Sequence, residues 1–242
     1  MDRDKVQFVT GIVLSNEFNA IGKPLNDRGV FVISGNAGTA YYSGKECLPN
    51  VFSSAFHNDV LNEAAAMYMS SKGVKSMVTI GLNYQAGKDQ IGGAVNKFNG
   101  KVLAQLWPAI DTVDFSSEIA QIRSLNPEAV YLFLPGRPGT TFLRQFVQAG
   151  LAKKVRVFGG AFHADELSFP AIGDFAVNAN LELTTFGWAP VFNEPEKKYP
   201  FDNAQSRRMV DLYEKKYNRR PTFWVAHQVD ALFLMDSAVR AV

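Results

Sequence analysis

One cysteine, Cys47, stands in 242 residues. A single thiol closes no internal disulfide, so the chain is no disulfide-stapled scaffold, and its redox compartment stays open. No apolar run approaches the roughly 18 residues that a membrane-spanning helix needs. Charge of one sign is scarce as well: 25 Lys and Arg against 23 Asp and Glu leave +2. That is far from the basic stripe of a nucleic-acid surface, so nucleic acid is not expected as a partner. The basic pairs Lys197-Lys198, Arg207-Arg208, Lys215-Lys216 and Arg219-Arg220 are scattered, three of them on or beside one expected helix, and read as a solvated face. The first residues, Met1-Asp2-Arg3-Asp4-Lys5, hold no apolar core of a signal peptide. By themselves they would leave the chain in the cytoplasm.

Signatures of catalysis are missing too. No G-x-G-x-x-G follows a strand pattern, so the dinucleotide fingerprint is absent. Gly44-Lys45-Glu46 has neither the spacing nor the hydroxyl of a phosphate loop. There is no G-x-S-x-G elbow, no H-E-x-x-H and no Cys/His cluster for a metal. Asp165 and Glu166 are adjacent, which keeps them from converging on one site. His57, His163 and His227 lie far apart, and a lone histidine is more often a structural hydrogen-bonder. The chain is therefore expected to be no enzyme and to need neither cofactor nor metal.

What is present is a 47% apolar composition with 19 Phe, 8 Tyr and 3 Trp, ample for a core, arranged as short apolar runs alternating with helical patterns. Strands are expected at Val6–Leu14, Gly29–Ile33, Met77–Ile80, Val102–Leu106, Val130–Leu134 and Val155–Phe158, with an extended segment at Leu181–Phe186. Between them fall helical stripes. Val60, Leu61, Ala64, Ala65 and Tyr68 follow an Asn58 or Asp59 cap. Ile91, Ala94, Val95 and Phe98 form a second stripe, Phe115, Ile119 and Ile122 a third, and Phe142, Leu143, Phe146 and Val147 a fourth. Two long helices close the chain. Asp202 caps the first, with Met209, Val210, Tyr213 and Tyr217 inward. Thr222 caps the second, with Val225, Val229, Leu232 and Phe233 inward. Strand–helix alternation at this spacing predicts right-handed βαβ units and parallel sheets covered on both faces. Residues 188–201, with three prolines, are the richest turn region and a candidate crossover.

In open parallel sheets ligands bind beyond the carboxyl ends of the strands. The segments expected there are Ser15-Asn16, Ser34-Gly35-Asn36-Ala37-Gly38-Thr39, Asn83-Tyr84, Pro135-Gly136-Arg137 and Gly159-Gly160-Ala161-Phe162-His163. Small residues admit backbone amides close to a ligand. Asn, Ser and Thr hydrogen-bond a carboxylate or amide, and Tyr84 with Phe162 sandwich an apolar body. Plainer roles stand beside these. Gly159-Gly160 is equally an ordinary turn, Tyr84 a helix-start aromatic packed on the sheet, Phe162 a core residue and Arg137 a solvated loop charge.

The same segments, in this order, resemble the type I periplasmic solute-binding proteins of ABC transporters, the branched-chain amino-acid-binding, leucine-binding-like group. The likeness lies in Val9-Thr10-Gly11-Ile12-Val13-Leu14-Ser15-Asn16, in Ile33 to Thr39 followed by Cys47 to Phe52, in Asn83-Tyr84-Gln85-Ala86-Gly87, in Phe142 to Leu151 and in Ala226 to Ala238. It covers nearly the whole chain. It implies an α/β fold of two lobes, each a parallel sheet flanked by helices, with 1–57 and 187–242 in an incomplete lobe one and 58–186 in lobe two. It implies a monomer that holds a small amino acid or related carboxylate between the lobes and delivers it to an ABC-type membrane permease. The ligand set it implies is Ser15, Asn16, Asn36, Ala37, Gly38 and Thr39 from lobe one, and Tyr84, Pro135, Ala161 and Phe162 from lobe two. Amino-acid binders of this group place an acidic residue near the position of Ala161. Its absence favours a carboxylate or amide with an apolar or aromatic body over an unmodified α-amino acid, since a buried ammonium without a partner is costly. The resemblance further implies a periplasmic parent protein whose signal peptide and terminal strands lie outside this chain. A regulatory ligand sensor of the same fold, and an α/β enzyme, are the rival functions.

Overall fold

The computed structural model describes residues 3–160, 171, 173–174, 178–179, 181–184 and 202–242. The chain divides into two compact units: Met1–Phe56 with Phe186–Val242 (unit 1), and His57–Thr185 (unit 2). Each has its own parallel sheet, as the alternation of strands and helices predicted.

In unit 1, β1 (Phe8–Val9), β2 (Phe31–Ser34) and β3 (Val51–Ser53) lie in that order, with Val9 opposite Val32 and Val32 opposite Val51. The expected strand Val6–Leu14 shrinks to two residues. Gly11 has φ +81°, in the left-handed region, which breaks the extended run. Helix α1 (Ser15–Asn26) then occupies a stretch whose Gly22 and Pro24 concealed it from a periodicity reading. Gly22 has a packing reason: a methyl there would come within 2.5 Å of the Tyr42 hydroxyl, and that hydroxyl donates to Asn19 O at 2.8 Å. Phe18, Leu25, Val32, Tyr42 and Val51 form the core of this unit.

The closing helices are α6 (Ala204–Tyr217) and α7 (Phe223–Arg240). Asn203, not Asp202, caps α6, its side chain accepting from Ser206 N; Asp202 pairs instead with Arg207. Tyr217, Leu232 and Phe233, expected inward, are about half exposed. The buried positions of α7 are Phe223, Ala226 and Ala231. The expected crossover at 188–201 lies outside the described residues.

Unit 2 is a five-stranded parallel sheet in the order β5 (Lys101–Leu106), β4 (Ser76–Gly81), β6 (Ala129–Phe133), β7 (Arg156–Gly160), β8 (Leu181–Thr184). Gly159 and Gly160, expected beyond the end of the strand, are strand residues paired with Leu183 and Thr184. One face carries Val78, Ile80, Val130, Leu132 and Val157 against α4 (Ser116–Leu125) and α5 (Arg137–Gln148). Phe142 packs edge-on to Phe115 at 5.6 Å and beside Phe146 at 5.5 Å. Each such buried ring contributes about 1.5–3 kcal/mol over an exposed one.

The other face meets α2 (Val60–Ser71) and α3 (Gln85–Lys97). Here the structure corrects the expected face of α2. Val60, Ala64 and Tyr68 are exposed; Ala65 is buried as expected, together with Asn62, Ala66 and Met69. Asn62 is turned inward because its amide is fully used. It accepts from the Tyr131 hydroxyl of β6 and donates to Gln90 of α3 and to Asn58 O. Gln90 in turn donates to Asn58 Oδ1. A satisfied buried network of this kind fixes the two helices against the strand.

Asn62→Ala is expected to cost about 2–4 kcal/mol, because Tyr131 and Gln90 would each lose a buried partner. Met67→Ala, on the exposed face of the same helix, is expected to stay within about 0.5 kcal/mol. Urea unfolding midpoints of the two variants check this; equal midpoints would refute it.

Candidate functional site

The order of strands in unit 2 defines a position. The chain leaves β4 for β5 on one side and leaves β6 for β7 on the other, while β4 and β6 are neighbours. Their carboxyl ends therefore flank a topological switch point, where open α/β sheets form a crevice. Two expected site residues stand there. Tyr84 follows β4 and Pro135 follows β6.

Local forces hold Tyr84 in place. Leu82 N donates to Phe133 O at 3.2 Å, carrying the β4–β6 pairing past the strand end, and Asn83 N donates to Pro108 O at 2.9 Å. Tyr84 is the extended N-cap residue of α3, with φ −150° and ψ 177°. Its ring lies nearly parallel to Phe133 at 6.3 Å and packs on the core. The expected glycine of the Asn-Tyr-x-x-Gly segment now has a reason. A methyl on Gly87 would collide with the Leu82 carbonyl, so only glycine lets α3 begin this close to β4. The first turn of α3 is tied down further: Asp89 accepts from Gln85 at 2.7 Å and from Asn58 at 3.0 Å. Burial, with a smaller push from the Asp89 charge, raises the Tyr84 phenol to about 12. It is thus a neutral hydrogen-bonding group at any ordinary pH. Pro135 is half-buried, and Gly136 beyond it takes φ +71° to start α5. Arg137, the first residue of α5, is exposed, in keeping with its plainer role.

In unit 1 the turn after β2 is built from its own side chains. Ser34 Oγ donates to Ala37 O at 3.0 Å and accepts from Asn36 N at 3.4 Å. Thr39 Oγ1 accepts from Tyr41 N at 3.2 Å. Asn36 Nδ2 donates to Val13 O at 3.3 Å, which joins this turn to the segment before Ser15. Ser15 is buried as the first residue of α1, and Asn16 is exposed; both belong to a helix start rather than the expected loop. Ala37 packs with the core of unit 1, and Gly38 is buried. Helix α7 braces the turn from behind: a methyl on Gly35 would come within 2.9 Å of His227 O, and Ser54 Oγ donates to that same carbonyl at 3.1 Å. His227 lies against Phe56 and Phe223, and burial lowers its pKa.

Tyr84 and Pro135 are thus brought to neighbouring strand ends in unit 2, and Ser15, Asn36, Ala37, Gly38 and Thr39 to linked segments of unit 1. Ala161 and Phe162 follow Gly160 and lie outside the described residues. One strand-end aromatic was overlooked. Trp107 comes directly after the Val102–Leu106 run, which was signal enough to include it, and the Lys88 ammonium sits 3.4 Å above its ring centroid. Among the described residues no three His, Cys, Asp or Glu gather as a metal set.

The model of the periplasmic binding protein family matches residues 1–242, and the chain belongs to that family. A solute-binding protein of an R. palustris ABC transporter, solved in complex with benzoate, superposes with a TM-score of 0.84 at 27% identity, over 99% of this chain and 63% of that one. A second, from Rhodopseudomonas palustris BisB5 in complex with 3,4-dihydroxybenzoic acid, gives 0.81 at 21% identity over 99% and 63%. A leucine-binding protein from Thermotoga maritima gives 0.81 at 20% identity over 99% and 65%. At these last two identities the likeness is one of fold. The chain spans less than two thirds of the length of each of the three. No curated protein matches it. Family and neighbours are solute-binding proteins and not enzymes, in line with the absence of catalytic motifs.

Tyr84 makes a prediction about alkaline stability. Its phenol is favoured as neutral in the fold, so the unfolded chain gives up this proton first. Stability is therefore expected to fall as pH rises from about 10 and to stop falling on this account near about 12. Urea midpoints between pH 9 and 11 should decline less steeply in Tyr84→Phe than in the wild type. Equal slopes would sink the assignment.

Proposed function

We propose that this chain is the solute-binding part of an ABC importer, acting in the periplasm and passing a small organic carboxylate with an aromatic body to a membrane permease. The observation that carries the proposal is the pairing of Tyr84 and Pro135 at the switch point of unit 2. It puts a neutral aromatic hydrogen-bonding group and a rigid apolar one where a ligand binds in such sheets. In this proposal Ser15, Asn16, Asn36, Ala37, Gly38 and Thr39 of unit 1 receive the carboxylate, Tyr84 and Pro135 face the ring, and Ala161 and Phe162 complete the set.

The ligand class rests on charge. The segments 10–16, 35–39, 82–84 and 134–136 hold no acidic residue, and Asp89, the acid nearest Tyr84 in sequence, already accepts from Gln85 and Asn58. A ligand ammonium has no evident partner among these segments, and burying one unpaired is costly. The benzoate complex of the R. palustris relative points the same way.

Thermal unfolding of the chain with benzoate, 4-hydroxybenzoate, benzamide and leucine tests this. A saturable rise in Tm with the aromatic acids is expected, worth about 2.7 kcal/mol at a hundredfold excess over Kd. Tyr84→Ala is expected to weaken the binding by about ten- to a hundredfold, the loss of one well-packed aromatic contact. Tight binding of leucine with no response to aromatic acids would refute the ligand class.

A further inference from the structure

Lys88 is an unusual residue for its place. It lies in the first turn of α3, which has no acidic residue, and the positive end of a helix dipole disfavours a cation there. Its ammonium is held instead on the face of Trp107, 3.4 Å from the ring centroid, where the ring quadrupole attracts it. Trp107 is itself fixed. It follows the last residue of β5, and Gly81, at the end of β4, leaves room for it: a methyl on Gly81 would stand 3.3 Å from the indole and 2.6 Å from Ile91. The backbone bond from Asn83 N to Pro108 O locks the loop after Trp107 to the loop before α3. Lys88 N donates to Tyr84 O at 3.0 Å, so the backbone of Lys88 is one helical turn from Tyr84. Among the described residues no carboxylate forms an ion pair with Lys88. The result is a positioned charge, not neutralised by such a pair, one strand away from the switch point.

We propose that Lys88, seated on Trp107 at the carboxyl edge of the five-stranded sheet, is a specificity-determining residue that recruits anionic solutes and discriminates against their neutral amide counterparts. This rests on the solute-binding function proposed above. A fixed cation beside a crevice raises the local concentration of anions and their association rate, and salt screens the effect. A neutral amide of the same shape gains nothing from it. A surface lysine that merely covers an indole would serve both ligands alike.

Lys88→Met tests the assignment, because methionine keeps an unbranched apolar stem over the indole and removes the charge. Association rates and affinities are measured for benzoate and benzamide at about 20 mM and about 500 mM salt, with Lys88→Gln as a second neutral variant and circular dichroism as a check on folding. The expected result is an association rate for benzoate about three- to tenfold lower at low salt, a flatter salt dependence, and no change for benzamide. An unchanged benzoate rate and salt slope, or an equal loss for both ligands, overturns the role given to Lys88 and leaves the solute-binding function standing. Failure of the wild type to bind either ligand overturns that function, and this inference with it.

Discussion

Strands β4 and β6 run side by side for five residues, from Met77 opposite Ala129 to Gly81 opposite Phe133, and Leu82 adds one more bond to Phe133. Everything placed at the carboxyl edge of unit 2 is positioned from that pairing. It makes the two strands neighbours although β5 comes between them in the chain, and so it creates the switch point. It brings Phe133 under Tyr84. It sets the Leu82 carbonyl against which α3 must start, and hence the need for glycine at 87. On the inner face Tyr131, at the centre of β6, anchors Asn62 and through it both α2 and α3. A register slip of one residue would turn Tyr131 to the opposite face of the sheet and strand this network.

The central strands of unit 2 were legible because strands buried on both faces are written as continuous apolar runs, and those runs need no periodicity to be found. Val130 to Leu134 and Val155 to Phe158 are of this kind. The helices over the apolar face were legible for the same reason, since Ile119, Ile122, Phe142, Leu143 and Phe146 all face the core. Where burial is polar, the pattern misleads. In α2 the inward position belongs to Asn62, so a search for apolar stripes selects Val60, Ala64 and Tyr68, which are exposed.

Unit 1 was harder to read. Its first strand is two residues long, and α1 carries a glycine and a proline that look like loop punctuation. Gly22 is there to let Tyr42 lie across the helix. Pro24 sits in the last turn, so it removes the usual donor to the Ala20 carbonyl but leaves little helix beyond it to be kinked. The long apolar side chains of α7 were assigned inward, yet Leu232 and Phe233 are exposed and the helix is held by Phe223, Ala226 and Ala231. Of the candidate site, the strand-end positions were legible from where the apolar runs stop. The contact between Lys88 and Trp107 was not, because it joins a helix to a residue just past a strand, 19 positions away in sequence.

The sole thiol of the chain belongs to unit 1 and is exposed. A maleimide dye would therefore attach at one known point, Cys47, with no residue replaced beforehand. It sits in the segment between the turn after β2 and strand β3, on the connection that leads away from Thr39. A dye at that point is carried by unit 1, whereas the indole of Trp107 belongs to unit 2. Native indole fluorescence mixes the two units, because Trp188 and Trp224 belong to unit 1, so the dye on Cys47 is the label whose place is known without ambiguity.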